Sequence, residues 1–437
     1  MTDERLGAVD AAWLQMDGPE NTADVVALLT FRALPPPAVL RALLAERLLA
    51  SPRFHQRIAP GALPLARPRW REAGAVLLDD HLVTHHLPSV RGAALREVVG
   101  AVASRRLDPG RPLWRVHLVE APDGGALIAK IHHCIADGFA LVGLLLSLGD
   151  AGAPAAARHP LPASRRLAPW LDGPVTPRAL LRSPLRALRL AASAGALAGA
   201  LARIAALPQD PPTLLSRPLT GRQRAAWSSG VPLRTVRRAA RARGATVNDV
   251  VVAAVAGALR SLLAAGGERV DALALRALIP VNLRASPPAP GEPLGNRFGL
   301  VFLDLPISSA TPAGRLEQVR ASTARLKGRA DALATLAALA VLGTVPPRVE
   351  APLLRFFARK ASVVVTNVPG PREPLVLAGQ PVESAMFWVP HPATLGVGVS
   401  VLSYAGELRV GVRADEAVLE APADLVARFE AELAGLC

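Results

Sequence analysis

His132-His133-Cys134-Ile135-Ala136-Asp137-Gly138 stands between two apolar runs. The run before it, Ala126-Leu127-Ile128-Ala129-Lys130-Ile131, has the make-up of a strand, and Phe139–Leu148 after it that of a helix. A strand-to-helix connection puts the seven residues on a loop, where functional side chains concentrate. Histidine titrates near the working pH, which suits a general base. Asp137 follows His133 by four residues and can order the loop through an ion pair. Gly138 permits a positive φ or a close backbone approach. Two bland readings compete: polar loop histidines, or a His and an Asp holding a metal. The metal reading is disfavoured because no third ligand cluster stands elsewhere in the chain.

Further upstream, Trp114–Glu120 alternates apolar and polar residues as a half-buried strand does, and Pro122-Asp123-Gly124-Gly125 reads as a hairpin turn. Residues 37–49 carry apolar positions at helical spacing. Residues 1–150 therefore form a first half of strands and helices. Residues 151–223 are rich in Pro, Ala, Ser and Arg, without strand pattern, and read as a crossover linker. Within it, 178–207 can form a basic helix carrying Arg178, Arg182, Arg186, Arg189 and Arg203, although Pro184 argues against one continuous helix. The second half, 224–437, opens with Thr246 placed to cap an apolar helix over Asn248–Ala264. Strands are expected at 273–281, 299–305, 362–366, 381–389, 396–404 and 407–412, and helices within 313–342. The interleaving predicts an α/β protein with mixed sheets in both halves.

The chain has 437 residues, of which 51% are apolar, so sizeable cores can form. Its net charge is +15. A basic surface attracts anions such as lipid headgroups or the phosphates of coenzyme A. Nucleic acid is not expected: aromatics are only 4%, and no zinc spacing or dense basic run is present. Two cysteines, Cys134 and Cys437, rule out a disulfide framework and are compatible with the cytosol. The opening residues lack the apolar core of a secretory signal. The uncharged helical stretches 190–202 and 332–347 fall short of the roughly 18–20 apolar residues that span a bilayer, so no transmembrane helix is expected.

The loop resembles the HHxxxDG motif of the bacterial wax ester synthase/acyl-CoA:diacylglycerol acyltransferase family. Further segments resemble that family in the same order: Val9-Asp10-Ala11-Ala12-Trp13-Leu14, Arg111-Pro112-Leu113-Trp114, Thr246-Val247-Asn248-Asp249-Val250, Leu294-Gly295-Asn296-Arg297, and Thr366-Asn367-Val368-Pro369-Gly370-Pro371, with Thr366 where the family has Ser. Ser403–Leu408 fits as well. The resemblance implies two chloramphenicol-acetyltransferase-like domains, each a mixed β-sheet flanked by helices, with the active-site tunnel between them.

It further implies an O-acyltransferase that moves a fatty acyl group from acyl-CoA to a long-chain alcohol or diacylglycerol, with no bound cofactor and no metal. His133 is the expected base, with His132, Asp137 and Gly138 completing the motif and Arg284 the expected structural partner of Asp137. Asn248 and Thr366 are oxyanion-donor candidates, while Asp249, Asn367 and Trp114 are substrate-contact candidates. Cys134 reads as a small packed residue rather than a nucleophile. Two alternatives stand beside this reading: a same-fold enzyme esterifying a secondary-metabolite alcohol, and a lipid-binding module without catalysis. The expected location is the cytoplasm, with the inner membrane face or lipid droplets as candidate surfaces and 178–207 as the candidate attachment segment.

Overall fold

The computed structural model describes residues 4–61, 66–74, 76–150, 184–284, 294–326 and 330–437. Two large sheets organise them. The first runs, in spatial order, Val376–Leu377, Gln380–Trp388, Asp24–Phe31, Gly124–His132, Trp114–Ala121 and Leu82–His86. Trp114–Ala121 pairs parallel with Leu82–His86 and antiparallel with Gly124–His132, so the sheet is mixed. The hairpin turns at Pro122-Asp123. Gly124 has φ +147°, and a Cβ there would lie 2.7 Å from the Phe31 carbonyl oxygen, so only glycine fits.

The second sheet runs Phe298–Leu305, Leu275–Asn282, Val363–Pro369, Val397–Tyr404, Glu407–Asp415 and Gln223–Trp227. Val363–Pro369 is parallel to both neighbours, and the other pairings along this path are antiparallel. The mixed α/β architecture is thus present in both sheets. One strand changes sides: Gln380–Trp388 comes from the later part of the chain yet pairs antiparallel with Asp24–Phe31 in the first sheet. Residues 376–388 therefore belong to the first sheet, unlike the other strands of 224–437.

The helix Val247–Ala265 is the core of the second half. Thr246 caps it: Asp249 N donates to Thr246 Oγ1 at 3.2 Å, and Thr246 N donates to Asp249 Oδ2 at 2.8 Å. The helix is long and apolar enough to cross a membrane, and 72% of its apolar window is buried within the protein. Counting uncharged stretches missed it because Asp249 and Arg260 interrupt the run. The helical region 313–342 divides into Pro312–Leu326 and Asp331–Leu342, and the region 37–49 passes from an α-helix, Pro37–Leu43, into a wider π turn over Leu44–Leu48.

Within 178–207 the described residues form a helix over Pro184–Ala206. Arg178 and Arg182 lie outside the described residues. At the other end, Ala200 and Ile204 are buried and Arg203 pairs with Asp331 at 2.9 Å, so this end is docked onto the body. Between the sheets, the buried Arg413 guanidinium donates to the Asp24 carbonyl at 3.1 Å, to Thr22 Oγ1 at 2.9 Å and to Gln223 Oε1 at 3.2 Å. Burial lowers the Arg413 pKa to about 10, a cost that the surrounding acceptors offset.

Candidate active site

The strand Gly124–His132 delivers the loop to the seam between the sheets. His133 lies at the wall of a cavity of about 370 Å³ that Asp137, Gly138, Arg284, Thr366 and Asn367 also line. The ring of Trp13 stacks on the imidazole, with centroids 4.1 Å apart and planes 19° apart, and Phe298 tilts against it at 5.4 Å. His133 Nδ1 is sealed beside the residue's own carbonyl, which leaves Nε2 as the nitrogen available to the cavity. Burial lowers the imidazole pKa to about 4, against the opposing pull of Asp137, so the ring is neutral at pH 7 and can accept a proton.

Asp137 faces away from that ring chemistry. Its Oδ1 accepts from Ala140 N at 2.8 Å, capping the helix Gly138–Leu148, and its Oδ2 accepts from Arg297 N at 2.9 Å. Arg284 Nε stands 3.3 Å from the same Oδ2, and the guanidinium also donates to the Gly295 carbonyl. An isolated parallel bridge joins Ala136 to Gly295. The loop of the first half is thereby fastened to residues 294–297 of the second.

Two residues quoted in the sequence blocks without a role turn out to hold His133. Asn296 Nδ2 donates to the His133 carbonyl at 2.7 Å and to Asp10 Oδ1 at 2.8 Å, and Asn296 N donates to that same oxygen at 3.0 Å. Burial raises the Asp10 pKa to about 6, with the Asn296 bonds opposing. A spacing rule could not find this set, because 286 positions separate Asp10 from Asn296. The signal lay in the two blocks themselves.

Other candidates sit elsewhere. Asp249 does not line the cavity, and Thr246 and Thr323, whose Oγ1 donates to Asp249 Oδ1 at 2.8 Å, occupy its oxygens. His132 points away from the cavity; its Nδ1 accepts from Cys134 N at 3.1 Å, and the strand register sets it opposite Asp24. Asn248 stands behind the cavity wall, its Oδ1 3.5 Å from Asn367 Nδ2. Trp114 is buried, donates Nε1 to the Phe54 carbonyl at 2.8 Å and stacks on His81. Cys134 is buried, and burial pushes its thiol well above the usual range. Gly138 has neither a positive φ nor a close neighbour at its Cβ position. Its missing side chain instead leaves space open.

That space matters because Gly138 also lines a second, apolar slot of about 100 Å³ with Val25, Leu29, Leu44, Trp114, Leu141 and Met386. A third, of about 60 Å³, shares Trp13, Leu278, Leu300 and Pro392 with the first cavity and continues past Leu354 and Phe357. The imidazole thus lines a more polar chamber, with which two apolar slots share wall residues. Among the described residues, no three His, Cys, Asp or Glu side chains could hold a metal ion.

Comparison with known proteins agrees in sequence and in fold. Residues 6–251 match the wax ester synthase/diacylglycerol acyltransferase catalytic domain, and residues 294–436 match the WS/DGAT C-terminal domain. A Mycobacterium tuberculosis H37Rv protein named probable diacylglycerol O-acyltransferase tgs1 is 32% identical over 404 residues, covering 90% of this chain and 86% of its own length. The wax ester synthase/diacylglycerol acyltransferase from Marinobacter aquaeolei VT8 has a similar structure, with TM-score 0.68 at 22% identity, over 99% of this chain and 98% of that one. The first condensation domain of the calcium-dependent antibiotic synthetase follows at TM-score 0.63 and 19% identity, covering 100% and 95%. These two likenesses speak for the fold.

Proposed function

This chain belongs to the wax ester synthase/diacylglycerol acyltransferase family, and on that premise we propose that it carries a fatty acyl group from acyl-CoA to the hydroxyl of a long-chain alcohol or diacylglycerol, with His133 as general base. It is an O-acyltransferase. One observation carries the finer reading: a neutral imidazole lines a chamber with some polar wall residues, and two apolar slots share wall residues with that chamber. Long-chain substrates need such slots, and the volumes are small, so a bound chain must part the side chains that line them.

The chemistry follows from the atoms. His133 Nε2 takes the alcohol proton as the oxygen attacks the thioester carbonyl. The Thr366 hydroxyl, on the cavity wall, is the candidate donor to the tetrahedral oxyanion, and Asn367 with Asn248 orders the strand beside it. The carbon–sulfur bond then breaks, and the imidazolium returns its proton to the leaving thiolate. No acyl-enzyme is required, in keeping with a buried Cys134 whose thiol resists ionisation. The net charge of +15 favours the phosphates of coenzyme A and anionic lipid surfaces in the cytoplasm.

The deciding experiment mixes purified protein with palmitoyl-CoA, with and without hexadecanol or diacylglycerol, and measures free thiol. Release that depends on the long-chain acceptor is expected. Release only with a different class of alcohol moves the reading to that acceptor, and no release with any acceptor overturns it.

A further inference from the structure

We propose that the helix Pro347–Ala358 lies on an anionic lipid surface and opens the apolar slot beside it to that surface, an inference that rests on the reading of His133 as acting on lipid acceptors. The helix is two-sided in an uncommon way. Its inner face is built by Glu350, Leu354, Phe357 and Ala358, and Leu354 and Phe357 wall the slot that reaches Trp13 beside His133. Its outer face leaves Val349 49%, Leu353 42% and Phe356 41% exposed. Positions i, i+4 and i+7 form one stripe along a helix. Exposed apolar residues gathered in this way mark a contact surface, whereas scattered ones need no explanation.

The charges select the occupant. Arg348, Arg355 and Arg359 are exposed and follow one another at i, i+7 and i+11, which places them along a single flank of the apolar stripe. An apolar stripe edged by cations is the pattern of a helix seated at a lipid–water boundary, its apolar side among acyl chains and its cations among phosphates. The same arginines disfavour a second basic copy of this chain as partner. The neighbouring helix Pro184–Ala206 is tied to this one: Lys360 Nζ donates to the Ala205 carbonyl at 3.0 Å and lies 4.3 Å from the Phe356 ring centroid. Leu201 and Ile204 of that helix complete the slot wall. An acceptor leaving the lipid here would therefore travel between the two helices toward the imidazole. Lipid attachment is thus assigned to 347–359.

Flotation of the full chain tests this on vesicles of phosphatidylcholine alone and of phosphatidylcholine with phosphatidylglycerol. Wild type should float with the anionic vesicles at low salt. A triple variant Arg348→Gln, Arg355→Gln, Arg359→Gln should lose roughly a hundredfold in vesicle affinity. A second triple variant, Val349→Ser, Leu353→Ser, Phe356→Ser, should lose binding at every salt concentration. Both should keep their melting temperature and their turnover of a soluble short-chain alcohol, while turnover of hexadecanol presented in vesicles falls. A photoreactive leucine analogue at position 353 should label lipid. Wild type that does not float, or variants that float as well as wild type, would overturn the proposal. So would labelling of residues 151–183 or of a second copy. Flotation that the variants abolish, in a protein that transfers no acyl group to any alcohol, supports the docking surface and overturns the catalytic reading instead.

Discussion

Arg284 and Asp137 meet across the seam between the two halves, Nε to Oδ2 at 3.3 Å, with their side chains 9% and 4% exposed. The pair is less a surface ion pair than a clasp: the same carboxylate caps a helix and receives Arg297 N. Asp137→Asn keeps the shape and removes the charge, leaving a buried guanidinium without its counterion. That is expected to destabilise the fold by about 3–5 kcal/mol. Thermal melting checks it: the melting temperature should fall together with activity, and an inactive variant that melts like wild type would make Asp137 a direct participant in the chemistry.

His133→Ala should lower acyl transfer by about 10²–10⁴-fold, the usual contribution of a positioned base, while acyl-CoA affinity stays close to that of wild type. His132→Ala should be milder in turnover, because its imidazole faces Asp24 rather than the cavity. Single-turnover kinetics alongside a binding titration separate the two effects.

Asp10 and His133 titrate on opposite sides of their ordinary values. A lone His133 would lose activity only as pH falls to about 4. Asp10 gains its proton at about 6, and in doing so weakens the acceptor that holds Asn296 against the His133 carbonyl. The acid limb of kcat/KM is therefore expected near 6, and Asp10→Asn should move it toward 4. Their stability contributions run in opposite directions. His133 adds stability as pH rises from about 4 to 6.5, whereas Asp10 removes it as pH rises from 3.8 to about 6. A rate profile, rather than a melting curve, is the measurement that resolves them. A wild-type limb near 4 would refute the Asp10 role.

Gly138 separates the reaction chamber from the apolar slot under the first sheet, with nothing within 4 Å of its Cβ position. Gly138→Leu should fill that passage. The expected result is a chain-length effect: kcat/KM for long-chain substrates falls at least tenfold more than for short ones, about the 1–3 kcal/mol by which a pocket discriminates by size. Equal losses at every length would mean that the passage is not used.

Glu350, on the inner face of the Pro347–Ala358 helix, is raised by burial from 4.5 to about 8. The folded state therefore holds its proton more tightly than the unfolded state. Its contribution is fully present below pH 4.5 and is lost progressively as pH rises to about 8. Glu350→Gln should flatten this part of the stability profile. Melting temperatures of the two proteins should be closest at low pH and diverge in favour of the variant as pH rises.

How much of this was legible before folding depends on distance along the chain. The loop 132–138, its flanking strand and helix, the hairpin turn at 122–125 and the capped helix after Thr246 are local patterns, decided by residues within a few turns of one another. The ordered blocks carried the family in the same way, since each is a short run. The place of Asp249 was not legible, because a capping carboxylate and a substrate-facing one have the same local signature.

The mixed α/β class, the loop 132–138 and the family could be read from short runs of residues. Tertiary structure alone decided which strand joined which sheet, as when Gln380–Trp388 crosses to pair with Asp24–Phe31. It also decided that Asp10 and Asn296 hold His133, that Gly138 is a gap rather than a turn, and that the exposed apolar stripe falls at 349–356. The physical reason is that periodicity tells which face of an element is apolar, but not what covers it. Burial, pKa and cavity shape arise only when segments hundreds of residues apart exclude water together.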